Sequence, residues 1–228
     1  DRSVLQFEFL CNTEKVAYED EIRKLGGVIH NICARSKNLK QYKHDMTEFF
    51  KNNAEKYCAL WFNTCSLSNI DYLVYATKYH IPKRIIHCHN AANGGDSFLR
   101  NLLHKYHQRK VFKYATDFWT CNQDSDLWFF GKSSKELPNY RVIYNAIDLD
   151  YFAPNDEIRK EYRSKLNISN EILLGHDGRF HYQKNQEFLI KVMRELNQRY
   201  PNKYKLILIG QGENMKMIQD MITEFHLQ

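Results

Sequence analysis

The chain has 228 residues, with 33 Lys and Arg against 27 Asp and Glu, a formal charge of +6, 43% hydrophobic and 26% charged content. Such a balance is ordinary for a folded chain and excludes an intrinsically disordered segment, a collagen-like repeat and a small disulfide scaffold. No apolar run approaches the ~18 residues that a membrane-spanning helix needs, and residues 1–12 lack the basic-then-apolar order of a signal peptide.

Short apolar runs alternate with amphipathic ones from end to end. Leu5–Cys11 is predicted as a strand, followed by a helix over Glu14–Leu25 that Asn12 or Thr13 caps and Gly26–Gly27 stops. Gly27–Cys33 gives the next strand, and Leu39–Lys56 a helix with Phe49 and Phe50 on its apolar side. Cys58–Asn63 is a strand, and Ser68–His80 a helix opened by Ser68 or Asn69, with Ile70, Leu73, Val74 and Thr77 at helical spacing. Arg84–His89, Asp117–Asn122 and Arg141–Ile147 complete six strands, with the basic amphipathic stretch Phe98–Phe118 among them. Asp148–Asn155 reads as a linker, and Glu157–Leu166 as a charged helix. Glu171–His176, the helix Lys184–Tyr200 and Tyr204–Gly210 then repeat the strand–helix–strand order. Several strands are continuous apolar runs, the pattern of parallel strands buried on both faces. The expectation is an α/β doubly wound fold in two domains, residues 1–150 and residues 151–228, the second with too few strands to be complete.

The six cysteines form no C-x-x-C pair and mostly lie in the apolar runs. They are expected to be reduced thiols packed as small hydrophobes in a cytosolic protein. The chain starts at Asp1 without Met and stops at Gln228 in a helix-like stretch, which suggests a fragment.

The stretch 171–190, EILLGHDGRFHYQKNQEFLI, carries the most chemistry. A buried strand ending at Gly175 would deliver Gly178 and Arg179 to a loop, with Lys184 at the start of the next helix. Ligands of doubly wound sheets bind at the carboxyl ends of strands. A helix N-terminus, a guanidinium fork, an ammonium and close backbone approach at Gly175 and Gly178 suit a diphosphate. An ordinary loop with solvated charges fits the same residues. At His87-Cys88-His89-Asn90 the alternation of a strand puts His87 and His89 on one face. A metal pair there lacks further ligands, and a substrate contact or a satisfied core histidine fits equally. Gly210 and Gly212, in LILIGQGE, follow a strand as a turn approached by phosphate or sugar, but the full dinucleotide fingerprint is absent, with Met215 at its last position. Phe98–Phe118 carries Arg100, Lys105, Arg109, Lys110 and Lys113 among apolar residues, which suits anionic lipid or a core-facing helix with a basic outer face. Nucleic acid is not expected, because the remaining basic residues are interspersed with acids such as Asp20, Glu21, Asp156, Glu157 and Glu161.

Taken in order, VIYNAIDLDYF, GHDGRFHYQKNQEFLIKVM and YPNKYKLILIGQGE resemble retaining glycosyltransferases of family 4, and most of all bacterial capsular and exopolysaccharide members. Upstream, KLGGVIHNI, SNIDYLVYATKYHIPKRIIHCHN and KYATDFWTCNQDSDLWFFG match the same group, so the resemblance covers essentially the whole chain. It implies the GT-B fold, with two facing Rossmann-like domains and a nucleotide-sugar, a UDP-sugar, as metal-independent donor with no other cofactor. It assigns Arg179 and Lys184, with Gly178, to the donor diphosphate, His89 (or else His87) to the reacting sugar, and Gly210, Gly212, Asn145 and Asp148 to the neighbourhood of the donor. Ala146 replaces a usual Gly, so a positive φ is not expected there. The family's first strand would precede Asp1, and its paired glutamates would follow Gln228. The implied activity is transfer with retention to a saccharide or lipid-linked acceptor at the cytoplasmic membrane face, which Phe98–Phe118 would contact. A GT-B epimerase, an inverting transferase and a non-catalytic nucleotide-sugar or partner-binding module are the alternatives.

Overall fold

The computed structural model describes residues 5–89, 98–122 and 125–227. The chain divides into two compact units, Asp1–Ala146 and Ile147–Gln228. The first holds β1 (Glu8–Cys11), α1 (Glu19–Lys24), β2 (Val28–Asn31), α2 (Leu39–Asn53), β3 (Ala59–Thr64), α3 (Asp71–Lys78), β4 (Lys83–Cys88), α4 (Phe98–Tyr114), β5 (Asp117–Thr120), α5 (Ser125–Phe130) and β6 (Arg141–Val142). The second holds α6 (Asp156–Lys165), β7 (Ile172–Asp177), α7 (Gln186–Arg199), β8 (Tyr204–Ile209) and α8 (Met215–Glu224). Every strand pair is parallel: β1 with β2, then β3-β4-β5-β6 in sequence order, and β7 with β8.

Alternation along β3, β4 and β5 sends Leu60, Phe62, Ile86, Cys88 and Phe118 to one face, where Leu73, Val111, Phe129 and Phe130 from α3, α4 and α5 cover them. A second cluster joins Tyr42, Met46 and Phe50, at helical spacing on α2, to Ile32, Ala76 and Ile81. Asn38 caps α2 by accepting from the Gln41 N–H, and Asp45 on that helix accepts from the Cys33 N–H at 2.7 Å, tying it to the chain leaving β2. In the second unit Asn155 accepts from Glu157 and Ile158 and opens α6, while the core is small: Phe180, Ile190 and Ile218.

Several boundaries differ from expectation. Helix α1 starts only at Glu19, entered through Tyr18 at φ 59°, and neither Asn12 nor Thr13 caps it; the Thr13 hydroxyl donates to the Lys15 carbonyl instead. Asn69 turns the chain by accepting from Asp71, and α3 begins after it, with Ile70 rather than Ser68 or Asn69 at the cap. The strand expected over Arg141–Ile147 pairs over two residues and then leaves the sheet. The helix in Phe98–Phe118 stops at Tyr114, because Asp117 and Phe118 pair in β5. β7 runs on to Asp177 and is largely exposed rather than buried on both faces, since only β8 flanks it. The last helix ends at Glu224, with His226 at φ 53°. No disulfide joins the cysteines among the described residues, but only Cys88 is buried, and Cys58 and Cys65 are exposed. Among the described residues no helix is long and apolar enough to cross a membrane.

Phe118 has no exposed surface, stacks on Phe112 and meets Phe130 edge-to-face. Phe118→Ala should cost about 3–5 kcal/mol in urea unfolding, whereas Leu127→Ala, at an exposed position of α5, should stay within about 0.5 kcal/mol.

Candidate functional site

At the carboxyl ends of β7 and β8 the two chains stay paired beyond the strands. Gly178 N–H donates to the Ile209 carbonyl, Phe180 N–H to that of Gln211, and Asn214 N–H to that of Phe180. The approach is closer than side chains allow. A Cβ on Gly210, at φ 145°, would lie 2.1 Å from the Gly178 oxygen, and one on Gly212 would lie 2.2 Å from the Phe180 oxygen. These glycines therefore make room for the chain's own backbone. Phe180 anchors the loop in the core beside Ile190 and Ile218.

Between Gly178 and α7 a single 3-10 turn, Tyr182–Lys184, is closed by Lys184 N–H on the His181 carbonyl, and the His181 ring accepts from the Gln183 N–H. Asn185, at φ 50°, redirects the chain, so the helix begins at Gln186 and not at Lys184. Gln186, 2% exposed, donates from Nε2 to the Arg179 carbonyl at 3.0 Å. The stem of Lys184 and the ring of His176 flank Gly178, each 3.4 Å from where its Cβ would stand. Arg179 and Lys184 thus leave the same braced loop, and both are exposed. Neither has a carboxylate partner among the described residues, and Glu213 pairs with His181 at 3.5 Å. Two uncompensated cations on a rigid loop fit a polyanionic group.

The first unit holds a separate constellation. His87 and His89 share a face of β4, with ring centroids 4.3 Å apart, and Trp61 of β3 and Trp119 of β5 lie on that face beside them. Trp61 Nε1 donates to His87 Nδ1 at 3.3 Å, which places the proton of neutral His87 on Nε2. That Nε2 and the Trp119 Nε1 are buried with no hydrogen-bond partner among the described residues. Burial, and then the neighbouring His89, pull the His87 pKa down to about 4. His89 is the more accessible of the two and holds Asn63 Oδ1 at 3.1 Å through Nε2. No third metal-ligating residue gathers with this pair among the described residues.

Asn145 is exposed in the first unit, and Ala146 has no positive φ. Asp148, in the second, accepts from the Tyr151 N–H at 2.9 Å and closes an Asx-type turn. The sequence reading missed Trp61, Trp119 and Gln186. Trp61 and Trp119 are on the His87 face by strand alternation and register, a relation that shows only once the strands are paired.

Residues 158–228 match the family described as "Glycosyl transferases group 1". Over 216 residues the chain is 29% identical to EpsF of Bacillus subtilis, a protein named as a glycosyltransferase, spanning 93% of this chain and 56% of EpsF. It is 31% identical over 130 residues to the uncharacterized glycosyltransferase MJ1059 of Methanocaldococcus jannaschii, covering 56% of this chain and 30% of that one. The chain therefore spans about half, or less, of the curated relatives it matches. Crystal structures of Anabaena Alr3699/HepE with UDP and glucose, and with UDP-glucose, superpose with TM-scores of 0.76 and 0.71 at 17% identity, over 98% of this chain and 67% and 66% of theirs. That likeness shows an α/β fold of the GT-B type with parallel sheets.

Gly212→Ala should force the two loops apart and cost about 1–3 kcal/mol in urea unfolding of the chain. His87 should govern part of the acid response. Its pKa in the folded chain lies below the ordinary 6.5, so the unfolded chain takes up the proton first as the pH falls. Stability from this group is full above about pH 6.5, declines towards pH 4 and falls no further below it. Urea midpoints of His87→Phe measured across that window should fall less steeply than those of the parent.

Proposed function

We propose that this chain is part of a glycosyltransferase that moves a sugar from a nucleotide-diphosphate sugar to a saccharide or lipid-linked saccharide acceptor. We read the donor as a UDP-sugar, the transfer as retaining and of the family 4 type, and the setting as bacterial capsule or exopolysaccharide synthesis. One observation carries this reading: two exposed, unpaired cations, Arg179 and Lys184, stand on a backbone-locked loop at the carboxyl ends of β7 and β8. The stretch matched to the group 1 glycosyl transferases contains both. The UDP and UDP-glucose complexes of HepE and the name of EpsF are in keeping with it.

The chemistry follows from charge. As the bond from sugar to diphosphate breaks, negative charge grows on the departing oxygens. Arg179 offers a planar fork and Lys184 a compact charge, and the bracing by Gln186, Gly210 and Gly212 lowers the cost of arranging them during the reaction. These two cations take the part a divalent metal plays in other transferases, so the reaction proceeds without one. We assign His89 to the donor sugar because it is accessible and held by Asn63, and His87 to a positioning role beneath it, because it is buried and neutral. Asn145 and Asp148 shape the chain between the two units and neighbour the donor site in this reading.

In an active enzyme containing this chain, Lys184→Ala should raise the donor KM and lower kcat by about 10²–10³, because the charge it meets is largest in the transition state. Unchanged kinetics would falsify the diphosphate role. A chelator should leave the rate unaltered, and NMR of the product should show the anomeric configuration of the donor; inversion would remove the retaining assignment.

A further inference from the structure

Phe180 and Gln186 are buried, and of the residues between them only His181 turns inward. Tyr182, Gln183, Lys184 and Asn185 are exposed, whereas the His181 side chain keeps 15% of its surface. Main chain and ring of His181 are both engaged. Lys184 N–H donates to its carbonyl at 2.9 Å and Gln183 N–H to its Nδ1 at 3.3 Å, so successive amides of the turn carrying Lys184 end on this one residue. Because Nδ1 accepts, the proton of the neutral ring is on Nε2. That nitrogen stands 3.5 Å from Glu213 Oε1, in the loop that follows β8. Tyr182 lies against the ring, with centroids 4.4 Å apart.

The type of residue matters here. Capping the turn needs only an acceptor on a short side chain, which Ser, Thr, Asn or Asp supplies. Ser, Thr and Asn have no second group long enough to reach another loop while they cap, and Asp would add a negative charge to the loop that carries Arg179 and Lys184. Imidazole caps with one nitrogen and extends away with the other. The loops it joins are already fixed on one side of it, where Phe180 N–H bonds the Gln211 carbonyl and Asn214 N–H that of Phe180. His181 carries that order past Phe180 and into the turn.

We propose that His181 is the positioning residue of loop 179–184. Through Nδ1 it fixes the turn that aims Lys184, and through Nε2 it ties that turn to Glu213 on the neighbouring loop. In this role it touches neither sugar nor phosphate. Its effect on the donor rests on the reading of Lys184 as a diphosphate ligand, whereas the order it imposes on the turn needs no donor. In a loose turn Lys184 is ordered only when the anion arrives, and the cost of that ordering is drawn from binding.

In the full chain without ligand, amide hydrogen exchange at Gln183 and Lys184 should quicken about tenfold in His181→Phe, which keeps the ring and removes both nitrogens. In His181→Asn, whose amide oxygen can accept from Gln183, it should return to within about threefold of the parent. Exchange within α7 should stay parental in both variants, which separates a loosened turn from a failing fold. In an active enzyme containing this chain, the inhibition constant of UDP should rise about tenfold in His181→Phe with the acceptor KM unchanged, and His181→Asn should recover most of the loss. A merely structural role would move both constants together. Parental exchange at Gln183 and Lys184 in His181→Phe, or failure of His181→Asn to restore either readout, overturns the proposal. If Lys184→Ala also leaves UDP inhibition unchanged, the diphosphate reading falls instead, and the exchange rates still decide what His181 does in the turn.

Discussion

A side chain on Gly210 or Gly212 would collide with main chain, and that prohibition organises the carboxyl ends of β7 and β8. Because nothing separates the loops, the backbone after β7 continues to pair with the backbone after β8 through Gly178, Phe180 and Asn214. Phe180 is driven into a small core, and Gln186 completes the brace at the Arg179 carbonyl. A loop held at so many points presents its two cations in a narrow range of positions. Electrostatic stabilisation of a leaving group depends on such preorganisation more than on the number of charges.

The first unit solves a different problem. One face of β3, β4 and β5 is packed by three helices, while its other face carries Trp61, His87, His89 and Trp119. Burying His87 among indoles keeps it neutral, and its Nδ1 is taken by Trp61, so its remaining N–H has a defined direction. His89 keeps more access to solvent and a fixed ring through Asn63. Neighbouring α4 gives Val111 to that core and uses His104, His107 and Gln108 to bond the carbonyls and amides of loops, while Phe98, Leu99 and Leu102 stay exposed.

Much of this was legible from residue pattern. Seven of the eight strands start within one residue of expectation, and the strand expected from Leu5 pairs only from Glu8. The shared face of His87 and His89 follows from alternation alone, and the loop carrying Arg179 from its glycines, though Lys184 lies before the helix and not at its start. Helix starts were less legible. Asn12, Thr13, Ser68 and Asn69 are all competent caps by type, yet the chain uses Tyr18 and Ile70, because a cap is chosen by where the helix packs and not by which polar residue stands nearest. The cysteines misled for a related reason: an apolar run does not say how far its last residue projects beyond the sheet, and Cys65 follows the end of β3 into solvent.

By itself the sequence determined the alternation of strand and helix, the parallel sense that such alternation entails, and which cations and histidines stand at the carboxyl ends of strands, because these depend on periodicity and residue type. Tertiary structure alone decided why Gly210 and Gly212 are glycines, which histidine is buried and neutral, and which side of α4 faces outward. Each of these is a relation between segments distant in the chain. Main chain meeting main chain across two loops, an indole on one strand lying over an imidazole on the next, and a helix turned to satisfy another loop's carbonyls are properties of packing, to which a linear pattern gives no distance.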